Sequence, residues 1–209
     1  MAKEANHPGS SCKLCSNILK GQLDAVVAIL EEEETIEDPD GAAVYLTVKH
    51  YSRELTEYAQ KYEIAIAHTW QDRKFRDEAR RDTIIKTLEL MFRGGLSANC
   101  VRGDETALLC AVSTHDEHLV KLMMENGADP NFCTPSHKMN AIALAVILNE
   151  ASLLKLILSY GATKINDPCC ESLTPLQLSM HKSVEVSKVL LQKGADVQQV
   201  MQMPCQSSR

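Results

Sequence analysis

A repeat of 34 residues constrains this chain more than any other feature: Thr106, Asn140 and Thr174 stand 34 residues apart, and Gly127, Gly161 and Gly194 follow at spacings of 34 and 33. Three segments align on these landmarks, ETALLCAVSTHDEHLVKLMMENGADPN at 105–131, MNAIALAVILNEASLLKLILSYGATKIN at 139–166 and LTPLQLSMHKSVEVSKVLLQKGADV at 173–197. Within each, the local chemistry spells two helices. Thr174 can cap the free N–H groups of a first helix, with Pro175 at the first helical position, where no N–H is required. Leu119, Val120, Leu122, Met123 and Met124 then place apolar groups at helical spacing, and Gly127 supplies the left-handed turn that ends the second helix. The same order recurs at 153–161 and 186–194. One such unit cannot bury its apolar face alone, so neighbours must stack.

Particular residues carry a family resemblance. Thr174-Pro175-Leu176-Gln177 is similar to a Thr-Pro-Leu-His element, Thr106-Ala107-Leu108-Leu109 follows it loosely, and Gly127-Ala128-Asp129 with Asn131, like Gly194-Ala195-Asp196, is similar to a closing Gly-Ala-Asp-x-Asn. Together these resemble the ankyrin repeat. The resemblance implies an all-α solenoid of helix-turn-helix units joined by short hairpin loops, with partners contacting the hairpin tips and the inner, concave helices. It also implies that Leu122, Leu156 and Leu190 hold repeats together and that Asn99 and Asn131 bridge adjacent hairpins.

Two degenerate units lie upstream, giving about five in all. LCSNILKGQLDAVVAIL at 14–30 sets Gly21 between two helical patterns and looks like an N-terminal cap, its closing Gly replaced by the acidic run EEEETIEDPD at 31–40. In the next unit, TIIKTLELMFRGGLSAN at 83–99 gives a second helix closed by Gly95, but the segment at 51–82 is surplus to the pattern. It contains no Gly or Pro, and Tyr51, Leu55, Tyr58, Tyr62 and Ala65 follow a helical stripe, so both helices should be lengthened, to 43–68 and 72–93 with a turn near 69–72. A separate helix laid across the groove is the alternative. The expected layout is a disordered 1–10, repeats at 11–38, 39–99, 103–136, 137–170 and 171–197, and a tail at 198–209.

Composition narrows the chemistry. A net charge of -6 and a pI near 5.7 argue against a nucleic-acid partner, which draws affinity from clustered Lys and Arg. No apolar run approaches the roughly 20 residues that span a bilayer, and the first residues lack the order of a secretion signal. Eight cysteines without a regular framework read as reduced thiols, so the expected compartment is cytoplasm or nucleus. Cys12-x-x-Cys15 has metal or redox spacing, yet no second ligand pair follows, and two thiols on a capping helix is the preferred reading over a Cys-based metal or redox protein. No phosphate loop, paired catalytic carboxylates or positioned nucleophile emerges, and His115 and His118 straddle an inter-helix turn. Neither enzyme activity nor a cofactor is expected.

A non-catalytic adaptor or inhibitor that binds another protein, itself a monomer, is therefore the expected function. A substrate-recruiting subunit of a larger assembly such as a ubiquitin ligase is the alternative, with no recruitment box evident after 197. Binding should rest on residues that depart from the repeat: Arg102, Asp104, Phe132, His137, Lys138 and Met139 in the tips, and Tyr58, Tyr62, Trp70 and Phe75 in the enlarged second unit. Six of the nine aromatics fall between Tyr45 and Phe75. Trp70→Ala is expected to weaken partner capture while leaving the melting temperature nearly unchanged; a large loss of stability would make Trp70 a core residue instead.

Overall fold

The computed structural model describes residues 13–32, 38, 41–62, 78–136, 138–169 and 172–198, with the backbone alone at 58–62 and 78–80. They fall in two compact units, Met1–Ala128 and Asp129–Arg209.

Unit 1 holds three helix pairs: α1 (Lys13–Leu19) with α2 (Leu23–Glu32), α3 (Ala43–Tyr62) with α4 (Glu78–Arg93), and α5 (Ala107–Ser113) with α6 (Glu117–Glu125). The first helices pack in a row, α1 on α3 and α3 on α5, and the second helices likewise, α2 on α4 and α4 on α6. Between α4 and α5 a short antiparallel hairpin, β1 (Val101–Arg102) and β2 (Glu105–Thr106), pairs Val101 with Thr106 and Arg102 with Glu105. Unit 2 holds two pairs, α7 (Ala141–Ile147) with α8 (Ala151–Ser159) and α9 (Pro175–Ser179) with α10 (Val184–Gln192); α9 packs on α7 and α10 on α8.

The recurring cap residues act as their spacing predicts. Thr106, Asn140 and Thr174 accept hydrogen bonds from Leu109, Ala143 and Gln177 N–H at 3.0, 2.8 and 3.3 Å. Gln177, at the family's His position, returns the bond through Oε1 to Thr174 N–H at 2.8 Å, closing a capping box behind Pro175. Gly127, Gly161 and Gly194 take φ of 81, 85 and 92°, a region that a side chain would strain.

The packing register corrects one expectation. Leu190 is wholly buried, but Leu122 and Leu156 are only half-buried; Met123 and Ile157 occupy the buried position instead. Counting back four residues from Gly127, Gly161 and Gly194 gives Met123, Ile157 and Leu190. The helix end sets the register, and a uniform 34-residue count from Leu190 slips by one.

The enlarged second pair is also visible. α3 runs 20 residues and α4 16, against 5 to 10 for the other helices, and the two pack together. The predicted extensions to 68 and from 72, and the turn between them, lie outside the described residues, as do Cys12, 1–10 and 199–209. Tyr51 and Leu55, on the stripe read from the sequence, are buried core residues of unit 1.

Candidate functional site

The loops of a repeat stack must be held before they can present anything, and here asparagines hold them. Each second helix leaves a carbonyl at its closing Gly without a helical partner. In unit 1, Asn99 donates Nδ2–H to Gly127 O at 2.7 Å. In unit 2, Asn131 donates to Gly161 O at 3.3 Å while its Oδ1 accepts from Thr163 N–H at 2.7 Å, and Asn166 donates to Gly194 O at 3.2 Å while accepting from Asp196 N–H at 2.8 Å. Asn166 belongs to the same series, which its offset in the alignment had hidden. Asn131→Ala should cost about 1 to 2 kcal/mol, because it leaves Gly161 O and the N–H groups of Thr163 and Lys164 without their Asn131 partner; urea unfolding that matches the wild type would show these bonds to be replaced by water at no cost.

In unit 1 the face of α3 toward β2 is built around Glu105. Lys49 Nζ donates to both carboxylate oxygens at 2.6 Å, and Tyr45 donates its phenol O–H to Oε2 at 2.7 Å. One turn on, Ser52 meets Ser113 of α5 at 3.0 Å. Burial alone would raise the Glu105 pKa, but the hydrogen bonds from Lys49 and Tyr45 outweigh it and hold the carboxyl below its ordinary value. Burial, with the bond to Glu105, conversely drives the Tyr45 phenol up. A depressed carboxyl pKa adds stability that is complete above the unfolded value, about 4.3, and is lost as pH falls through the folded one. The stability gap between the wild type and Glu105→Gln should therefore be present at pH 7 and close below about pH 4; with both charges half exposed it stays under about 1 kcal/mol. A gap that persists at pH 3 in thermal melts would separate it from ionisation.

This cluster escaped sequence reasoning because Tyr45 and Lys49 lie 60 and 56 residues from Glu105. No local spacing announces such a contact. Beside it, Val101 is exposed at the tip of β1, Arg102 and Asp104 are half-buried, and Arg53 and Glu57 form an exposed i,i+4 pair at 2.8 Å on α3.

The start of α4 is tied separately. Arg81 donates Nε–H and Nη2–H to the two oxygens of Asp116 at 2.9 Å each, and Asp116 also caps α6 through His118 and Leu119 N–H. Asp116 is 3% exposed. His115 sits in the turn before it at φ 60° and His118 is exposed. Part of the acidic run is likewise engaged within the chain: Glu31 pairs with Lys86 at 2.6 Å, and Asp38 accepts from Ala42 and Ala43 N–H at 3.1 and 2.9 Å, anchoring the start of α3.

In unit 2 the loop before α7 folds on Thr134, which bonds Met139 by both backbone and side chain at 2.9 Å and accepts from Lys138 N–H at 3.0 Å. Lys138 is exposed, at φ 48°, while Phe132 and Met139 are half-buried. Of the other expected binding residues, Trp70, Phe75 and His137 lie outside the described residues, and Tyr58 and Tyr62 are described by backbone alone.

Cys15 is buried and donates to Asp38 at 3.6 Å, and burial pushes the Cys110 thiol up to about 12. Among the described residues no group of three His, Cys, Asp or Glu side chains could hold a metal ion, and no helix is long and apolar enough to cross a membrane.

With this geometry in place, comparison with known proteins is direct. Residues 108–201 match the family model for ankyrin repeats, in three copies. A fowlpox virus (strain NVSL) chain named as an ankyrin repeat protein is 29% identical over 99 residues, covering 47% of this chain and 22% of that one. The chain thus spans about a fifth of that relative's length. Among solved structures, the ankyrin repeat domain of Bcl-3, titled a unique member of the IkappaB protein family, overlaps 90% of this chain and 88% of its own at 20% identity and a TM-score of 0.49. Repeats of this kind stack into extended surfaces that bind other proteins.

Proposed function

From ankyrin repeats over residues 108–201 and an enlarged helix pair ahead of them, we propose that this protein is a non-catalytic adaptor or inhibitor that binds a partner protein through α3 and the 101–106 hairpin. One observation carries the reading. α3 is 20 residues long where α5 and α7 have 7, and its Tyr45, Lys49 and Ser52 are locked to Glu105 and Ser113, so a large surface is ordered before any partner arrives. Preorganisation of that kind lowers the entropic cost of association. The tip residues Arg102 and Asp104 border it, and Phe132, Lys138 and Met139 offer a further contact in unit 2. Free thiols at Cys15, Cys100, Cys110, Cys133 and Cys169 suit the cytoplasm or nucleus.

The test is capture of partners by the full chain, followed by mass spectrometry, with Arg53→Glu/Glu57→Arg as the comparison. That pair is exposed, so its reversal should leave the melting temperature unchanged and reduce capture of the specific partner about tenfold or more. Equal capture by both chains would remove α3 from the interface.

A further inference from the structure

Of the thiols among the described residues, Cys133 is the one that is not buried; Cys15, Cys100, Cys110 and Cys169 all are. It lies in the loop ahead of α7 and does not stand alone. Lys164, from the loop ahead of α9, brings its Nζ to 3.7 Å from the Cys133 sulfur across 31 positions of sequence. Asn140 Nδ2 approaches the same sulfur at 3.8 Å, and the thiol donates to Asn131 O at 3.7 Å. Cys133 and Lys164 are both half-buried, so an oxidant can reach the sulfur while neighbouring groups keep the two side chains together.

The repeat marks this pair as a departure. Two residues past Asn99, Asn131 and Asn166 stand Val101, Cys133 and Pro168; three past Gly127, Gly161 and Gly194 stand Pro130, Lys164 and Val197. Apolar residues without a reactive atom fill both positions in the other units. The asparagine bridge sets the pair in register: Asn131 Oδ1 accepts from Thr163 N–H at 2.7 Å and from Lys164 N–H at 3.3 Å, fixing the backbone on both sides. Asn140, standing where the neighbouring units use Thr106 and Thr174, caps α7 with its oxygen and keeps an amide N–H for the sulfur.

We propose that Cys133 and Lys164 form a redox-sensitive modification site, at which hydrogen peroxide joins the two side chains through a sulfur–nitrogen bond. The Cys133 thiolate attacks one peroxide oxygen; an S–O bond forms, the O–O bond breaks and hydroxide leaves, so sulfur is oxidised by two electrons and the peroxide is reduced. The Lys164 amine, its extra proton given to water, then attacks the sulfenic sulfur. An S–N bond forms, the S–O bond breaks, and the departing oxygen takes a proton from nitrogen and leaves as water. Thiol, amine and one peroxide thus give one sulfenamide and two waters. Because nitrogen is already held against sulfur, the second step is intramolecular and outruns further oxidation. The link clips together two consecutive loops, the first of which carries Phe132, Lys138 and Met139. It uses no residue of the α3 surface, so its failure would leave that reading intact.

The test treats the folded full chain with hydrogen peroxide at about pH 8.5, where an ordinary thiol is half ionised. Remaining thiols are then blocked, and tryptic peptides are read by mass spectrometry. The expected product is the Cys133 peptide joined to the one containing Lys164, about 2 Da lighter than the two together, uncut after Lys164 and separated by dithiothreitol. A disulfide from Cys133 to Cys169 or Cys170 would still allow cutting at Lys164. Lys164→Arg, whose guanidinium stays protonated and is no nucleophile, should abolish the link, leave the melting temperature unchanged, and raise dimedone trapping of the Cys133 sulfenic acid about tenfold or more. Absence of the linked peptide, a disulfide in its place, dimedone trapping indifferent to Lys164→Arg, or an equal yield from the chain unfolded in guanidinium chloride overturns the proposal.

Discussion

Leu190→Ala is expected to lower the unfolding free energy by about 2 to 5 kcal/mol, whereas Leu122→Ala and Leu156→Ala should each cost less than half as much. Leu190 is wholly buried in α10, which packs on both α8 and α9, so truncation opens a cavity between packed helices. The cost combines lost transfer energy with the volume that the neighbours cannot reclaim. Leu122 and Leu156 differ in kind, since their side chains are half in water before the change. Urea unfolding of the three variants decides it. Equal losses at all three positions would mean that the register set by the closing glycines does not govern the packing.

Asp116→Ala should be nearly as damaging, at about 3 to 4 kcal/mol. Its carboxylate serves two structures at once, the bidentate bond to Arg81 of α4 and the first N–H groups of α6. Removing it leaves a guanidinium, 27% exposed, without its counter-charge and uncaps a helix, the latter alone worth about 1 kcal/mol. Partial access of Arg81 to water keeps the figure at the low end of what breaking a buried pair costs. Asp116→Asn, which retains an acceptor for the cap, should lose only part of this. In a double-mutant cycle Arg81→Ala and Asp116→Ala should fall short of additivity by about 1 kcal/mol or more. Strict additivity would show that the two side chains stabilise the protein independently.

The elements with local chemistry were legible in advance. Caps at Thr106, Asn140 and Thr174, closing glycines at 127, 161 and 194, the Gly21 turn of the first pair and the lengthened helices of the second each depend on residues within a few positions of one another. Tyr51 and Leu55 were placed on a stripe, and burial shows that stripe to be core at its first two positions. Phe132 and Met139 proved half-buried around a loop organised by Thr134, a residue that no departure from the repeat had singled out.

By itself, then, the sequence determined the repeat, its caps and its helix ends, because those rest on hydrogen bonds and backbone preferences spanning at most a few residues. Only the tertiary structure decided what the surface offers. That Glu105 gathers Lys49 and Tyr45 and that Asp116 holds Arg81 both depend on which helices meet. Contacts between residues 35 to 60 positions apart leave no periodic trace, since burial and pairing are properties of the packed neighbours and not of the residue itself.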